Sequence, residues 1–188
     1  MNTPVTSREA ILATCRNLVS ENGITSINMR SVAQVCQVAL GSIYYYFPSK
    51  NNLLIATIES VWQDIFQLDD ELPGQLTFLE YVEHCFQQIQ VGMTKYPNFF
   101  TIHTISFSNK EDQLKARRSM EAYFQKIRTS LITTLEADAS IDSSVFSEEF
   151  SRQDLVDFVL SNMMTIFLLR QGNTKLLLEA IRRIIDSY

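Results

Sequence analysis

Residues 28–50, NMRSVAQVCQVALGSIYYYFPSK, carry the side chains best suited to chemistry with a partner. Asn28, Arg30, Ser42, Tyr44, Tyr45 and Lys50 bring amide, guanidinium, hydroxyl, phenol and ammonium groups into one short stretch. Such groups donate hydrogen bonds and neutralise anions; they do not by themselves make or break covalent bonds. Catalytic equipment is sparse elsewhere. The chain has two histidines, His84 and His103, which fall on different predicted helices. The sequence contains no glycine-rich phosphate loop, nucleophile elbow or metal-ligand cluster. Cys15, Cys36 and Cys85 are far apart, lack metal-ligand spacing and sit among apolar helical neighbours, so they read as small buried hydrophobes. The expectation is a protein that binds rather than catalyses, with no cofactor and no metal.

The elements that must position those groups follow from spacing. Ala33, Gln37 and Ile43 fit a helix-turn-helix: a small residue for close approach, a turn residue four later, an apolar anchor six beyond. With Ile43, Tyr46 and Phe47 facing inward, the 3.6-residue period turns Leu40, Gly41, Tyr44 and Tyr45 outward. That outward face is too apolar for a purely solvated helix. It suits a surface made to lie against something.

The run GSIYYYFPSKNNLL resembles the recognition-helix signature of TetR-type transcriptional regulators, roughly G-T-L-Y-x-Y-F-x-S-K-x-x-L. Gly41, Ser42, Ile43, Tyr44, Tyr46, Phe47, Ser49, Lys50 and Leu53 match, and the likeness runs from about Thr6 to Leu54. Two positions depart from the pattern. Gln37 stands where the family has Gly; a left-handed backbone there would cost roughly 1 kcal/mol relative to Gly. Ala39 replaces the family's Ser or Thr at the cap of the second helix and forfeits about 1 kcal/mol of capping.

The resemblance implies an all-α protein: an N-terminal helix-turn-helix three-helix DNA-binding domain (1–50) and a C-terminal helical ligand-binding and dimerisation domain (51–188). It implies that Leu40, Gly41, Ser42 and Tyr45 approach base edges of a double-stranded operator, with Ala39 also among the DNA-binding residues. Asn28, Arg30, Tyr44 and Lys50 then mainly hold phosphate or sugar, and Arg30 is also within reach of a base. It further implies a ligand cavity in the second domain. Trp62, Phe99, His103, Tyr123 and Asn162 are the candidates to line it, and the effector is expected to be an apolar or aromatic small molecule. The reading that results is a ligand-responsive repressor acting as a dimer on a pseudo-palindromic operator. Two alternatives stay open: a dimeric helical interaction module that no longer reads DNA, and a small helical enzyme.

Composition agrees with a globular chain, at 46% hydrophobic and 20% charged residues. The net charge of −5 is unevenly placed. Residues 1–50 hold Arg8, Arg16, Arg30 and Lys50 against Glu9 and Glu21, so this head carries +2 and the remainder −7. A mildly basic head on an acidic body fits a DNA reader whose other domain stays off the DNA. No apolar run approaches the ~18–20 residues needed to span a bilayer, and the first residues lack a signal-peptide core, so no membrane contact and a cytoplasmic location are expected.

The remaining elements follow from periodicity and caps. Thr6 and Glu9 form an S/T-x-x-E capping box that starts a first helix ending at Asn22-Gly23. Asn28 caps the next, with Ile27 and Val32 placed as a hydrophobic staple. Longer helices are predicted over 49–68, 75–96, 110–137, 152–170 and 174–187, with a short one capped by Asn98 in FFTIHTISFS. On 110–137, Leu114, Met120, Phe124, Ile127, Leu131 and Leu135 are expected to face in, and the basic residues to face water. Residues 69–74 and 138–150 read as loops. The last two helices are apolar on more than one face, which points to a second subunit packed against residues 151–188.

Overall fold

The computed structural model describes residues 6–66, 75–97, 99, 110–169 and 174–186. Within them the chain forms eight α-helices and no strand: α1 (Arg8–Asn22), α2 (Met29–Val35), α3 (Leu40–Tyr46), α4 (Lys50–Phe66), α5 (Phe78–Lys95), α6 (Lys110–Ala137), α7 (Arg152–Leu169) and α8 (Thr174–Ile185). Short 3₁₀ turns occupy Ile24–Ser26 and Ser143–Val145. The all-α class expected from the sequence is observed. No described helix is long and apolar enough to cross a membrane.

Several boundaries move for identifiable reasons. The Thr6–Glu9 box does not form; Ser7 is the cap of α1, and its hydroxyl accepts from the Ala10 amide at 3.1 Å. Helix α5 starts at Phe78, later than its apolar pattern suggests, because Thr77 and Glu80 form a capping box. The Thr77 amide and hydroxyl donate to the Glu80 carboxylate at 2.8 and 2.7 Å. Ser151 and Asp154 make the same arrangement at the start of α7. Leu68, the 69–74 loop and the helix expected over FFTIHTISFS lie outside the described residues, apart from Phe99.

The chain divides into two compact units. The first comprises residues 1–65 and 91–121. Its core holds Ile11, Cys15 and Val19 of α1, Val32 and Ala33 of α2, Ile43 of α3 and a long buried face of α4. The second comprises residues 66–90 and 122–188. Its core holds Phe78, Val82 and Phe86 of α5, Ile127, Leu131 and Leu135 of α6, Leu155 and Val159 of α7, and Ile181 of α8.

The inward set on α6 needs correction. Leu114 and Met120 are exposed, the former at 52%, and only from Ile127 onward is the helix firmly buried on one side. The outward basic face is as expected except at Arg128, which is half-buried and pairs with Asp157 of α7 at 2.7 Å. Lys115 pairs with Glu111 at 2.7 Å and Arg117 with Glu121 at 2.8 Å, each one helical turn apart. Of the cysteines, Cys15 and Cys85 are buried and Cys36 is half-buried. Burial pushes the Cys15 and Cys85 thiols up to about 11 and about 12, so neither is a thiolate at neutral pH.

Candidate nucleic-acid interface

The α2–turn–α3 hairpin is held from both ends. Asn28 caps α2, its side-chain oxygen accepting from the Arg30 and Ser31 amides at 3.1 and 2.9 Å. Ile27 and Val32, the residues of the expected staple, are both buried. The helix closes at the turn, where the Val38 amide donates to the Ala33 carbonyl at 3.0 Å. Gln37 has φ 55°, the left-handed conformation the turn demands and glycine would adopt without penalty. Ala39 is extended (φ −62°, ψ 144°) and makes no side-chain cap to α3. Both local weaknesses read from the sequence are therefore real. Packing offsets them: Ile43 is fully buried and Phe47 nearly so.

Tyr46 does not sink wholly into this core. It is half-buried, and its hydroxyl donates to the Thr6 carbonyl at 2.8 Å, tying α3 to the residues before α1. Its ring meets that of Tyr45 edge-on, with centroids 5.0 Å apart. Arg8 adds a second tie, its guanidinium standing 5.4 Å from the Phe47 ring centroid. The C-terminal end of α3 is thus braced against α1.

The opposite face of α3 is open. Tyr45 is 81% exposed and Tyr44 48%; Gly41 and Ala39 are exposed, while Leu40 and Ser42 are half-buried at the margin. A side chain added at Gly41 would meet nothing within 4 Å. Asn28, Arg30 and Lys50 are exposed on the flanking elements. Neither cation forms an ion pair with a described residue. Lys50 opens α4, where the Ser49 hydroxyl accepts from the Asn52 amide at 3.1 Å. A cation in a first helical turn opposes the macrodipole, so its position points to an external anion.

The residues expected to line a ligand cavity are distributed as follows. Trp62 and Phe99 belong to the first unit, are both buried, and meet edge-to-face with centroids 5.4 Å apart. Tyr123 and Asn162 belong to the second unit. The Tyr123 ring lies 5.6 Å from the Lys126 ammonium, and the Asn162 amide donates to the Phe158 carbonyl of its own helix at 2.9 Å. His103 lies outside the described residues.

One arrangement around Trp62 had no sequence signal. Asp64, two residues on along α4, accepts from Lys95 at 2.6 Å and from the Tyr96 hydroxyl at 2.8 Å, with Arg16 of α1 at 3.9 Å. Arg16 also donates to the Ser60 hydroxyl. Ser20 of α1 donates to the Lys95 carbonyl at 2.7 Å. This clasp ties α1 and the end of α5 to the far end of α4. Burial pushes the Asp64 carboxyl upward, but the hydrogen bonds from Lys95 and Tyr96 outweigh it and hold the group below its usual range.

Comparison with known proteins agrees with this geometry. Residues 11–57 match the model of the bacterial regulatory proteins of the tetR family. The chain is 33% identical over 90 residues to the transcriptional repressor KstR of Rhodococcus jostii, covering 48% of this chain and 42% of that protein. It is 30% identical over 122 residues to the regulator YuxN of Bacillus subtilis, covering 64% of this chain and 40% of that protein, so the chain spans less than half the length of these relatives. The fold is shared more widely. A transcriptional regulator from Streptomyces coelicolor superposes with a TM-score of 0.64 at 22% identity, over 95% of this chain and 97% of that one. FadR of Bacillus subtilis, solved with stearoyl-CoA, does so with a TM-score of 0.60 at 16% identity, over the same shares. The signature residues on α3 fall inside the matched stretch, which runs from α1 into α4, and the fold is shared along nearly the whole chain.

Proposed function

We propose that the protein is a transcriptional repressor that reads a pseudo-palindromic operator as a homodimer and releases it on binding a small molecule. The observation that carries this reading is the open face of α3. Two exposed tyrosines flank a glycine with empty space beside it, and Arg30 and Lys50 stand free at the edges. No described residue requires Gly41 to lack a side chain, so the close approach it permits is to an outside surface. In the major groove, Ala39, Leu40, Gly41, Ser42 and Tyr45 meet base edges, while Asn28, Arg30, Tyr44 and Lys50 hold the backbone. The division of labour at residue 50, reading head before and effector and dimer domain after, is part of the same proposal.

The repressor sense follows KstR, and response to an effector follows FadR, whose structure holds an acyl-CoA. Trp62, Phe99, His103, Tyr123 and Asn162 remain the proposed effector contacts. The test is a gel shift on DNA upstream of the protein's own gene, repeated across salt concentrations. Two well-placed cations per subunit give about four neutralised phosphates per dimer, hence a log–log salt slope of roughly −3 to −5. No shift at any salt concentration overturns the DNA-reading proposal, and a slope near −10 shows a far larger basic footprint.

A further inference from the structure

A cleft of about 490 Å³ opens within the first unit, away from the exposed face of α3 and from the Trp62–Phe99 pair. Its walls come from four places in the chain: Arg8 at the start of α1, the Tyr46–Pro48 link, the Asn52–Glu59 stretch of α4, and Lys115, Arg118 and Ser119 of α6. That volume is in the range of small-molecule sites, roughly 300–1,000 Å³.

Its lining is of two kinds. Phe47, Pro48, Ile55 and Ala56 supply apolar surface. Arg8, Lys115 and Arg118 supply three cations against the single carboxylate of Glu59. Lys115 is already engaged by Glu111. Arg8 is steadied by the Phe47 ring, and among the described residues no carboxylate pairs with Arg8 or Arg118. Asn52 spends its side-chain oxygen on the Ser49 hydroxyl at 2.6 Å, which leaves its amide NH₂ as a donor. An apolar floor under two uncommitted guanidinium groups matches an amphipathic anion. Glu59 tempers the field and favours a single negative charge over a phosphate dianion.

We propose that this cleft binds a small organic carboxylate with a short apolar body, its head between Arg8 and Arg118 and its body over Ile55 and Ala56. Because the walls include both α6 and the residues that brace α3, occupancy fixes α6 to the reading head and alters operator affinity. The binding half stands independently of the proposed repressor function; the coupling half rests on it.

Octanoate and octanol are the probes, and isoleucine-methyl NMR on DNA-free, full-length protein is the readout. Octanoate is expected to shift the Ile55 methyl resonance while Ile127 and Ile181 stay in place. Octanol, without the charge, is expected to bind roughly tenfold more weakly. The Arg8→Gln/Arg118→Gln double variant is expected to lose that difference, with its melting temperature confirming a folded protein. Ser119→Trp, which fills the cleft from α6, provides a second variant and is expected to abolish the Ile55 shift. An unmoved Ile55, shifts confined to other methyls, or undiminished octanoate affinity in both variants overturns the site. A gel shift with and without octanoate then tests the coupling. Unchanged operator affinity alongside an Ile55 shift overturns the coupling and leaves the site standing.

Discussion

Single residues on the reading head set stability against function in opposite directions. Gly41 is exposed, helical and unopposed, so Gly41→Ala should stabilise the fold by up to about 1 kcal/mol through helix propensity. The added methyl would stand on the surface proposed to meet DNA. Thermal melts should therefore rise while gel-shift affinity falls; a variant that binds the operator as well as the parent would remove Gly41 from the interface. Gln37→Gly relieves the left-handed φ of 55° and should add roughly 1 kcal/mol. Ala39→Ser restores the missing cap and should add about as much. Both departures were legible in the sequence because a turn residue and a cap act through their own backbone. The true cap of α1 was not, because Thr6 and Ser7 are both good capping residues and only the chain's path chooses Ser7.

At the scale of elements, periodicity located each described helix, since burial of one face imposes it. The exposed Leu114 and Met120 show where the rule fails: apolar spacing on a long helix does not say how much of its length is covered. The clasp around Asp64 left no trace in the sequence, because its partners lie 31 to 48 positions away and no local rule couples them. It makes α4 the shared strut of the first unit. Asp64→Ala removes the acceptor of the nearly fully buried Tyr96 hydroxyl and should cost about 1–3 kcal/mol. The effect should depend on pH with a definite sign. The Asp64 carboxyl is depressed in the folded state, so its contribution is present above the ordinary carboxylate pKa of about 4 and lost as pH falls through the lower folded value. Urea melts of variant and parent should differ at neutral pH and converge in acid; a gap that persists in acid would assign the effect to packing. A second strut contact lies nearby. A Cβ at Gly92 would stand 2.7 Å from both Ile65 Cγ atoms, so Gly92→Ala should destabilise by about 1–3 kcal/mol in spite of its better helix propensity.

At the scale of the whole molecule, the proposed dimer fixes how two reading heads meet DNA about one turn, ~34 Å, apart. The sequence showed excess apolar surface on residues 151–188 but could not say which residues the protomer keeps for itself. The structure separates them. On α8, Leu177, Ile181 and Ile185 are buried within the single chain, whereas Leu176 is 66% exposed. On α7, Leu155, Val156, Val159 and Met163 are buried and Phe158 is 40% exposed. Among the described residues, Phe158 and Leu176 are the exposed large apolar side chains that an interface on these helices can draw on, while Ile181 belongs to the protomer core. The two classes of substitution should fail differently. Leu176→Asp and Phe158→Asp each place a charge on a surface that is solvated in the monomer, so helicity should persist while sedimentation shows dissociation. Ile181→Asp buries an unpaired charge in the protomer and should unfold it outright. Operator affinity should fall in both cases, but only the surface variants should keep a folded monomer able to shift DNA weakly. A Leu176→Asp, Phe158→Asp double variant that still sediments as a dimer would place the interface on another face of the molecule. The two-fold spacing argument for the operator would then have to be rebuilt from that face.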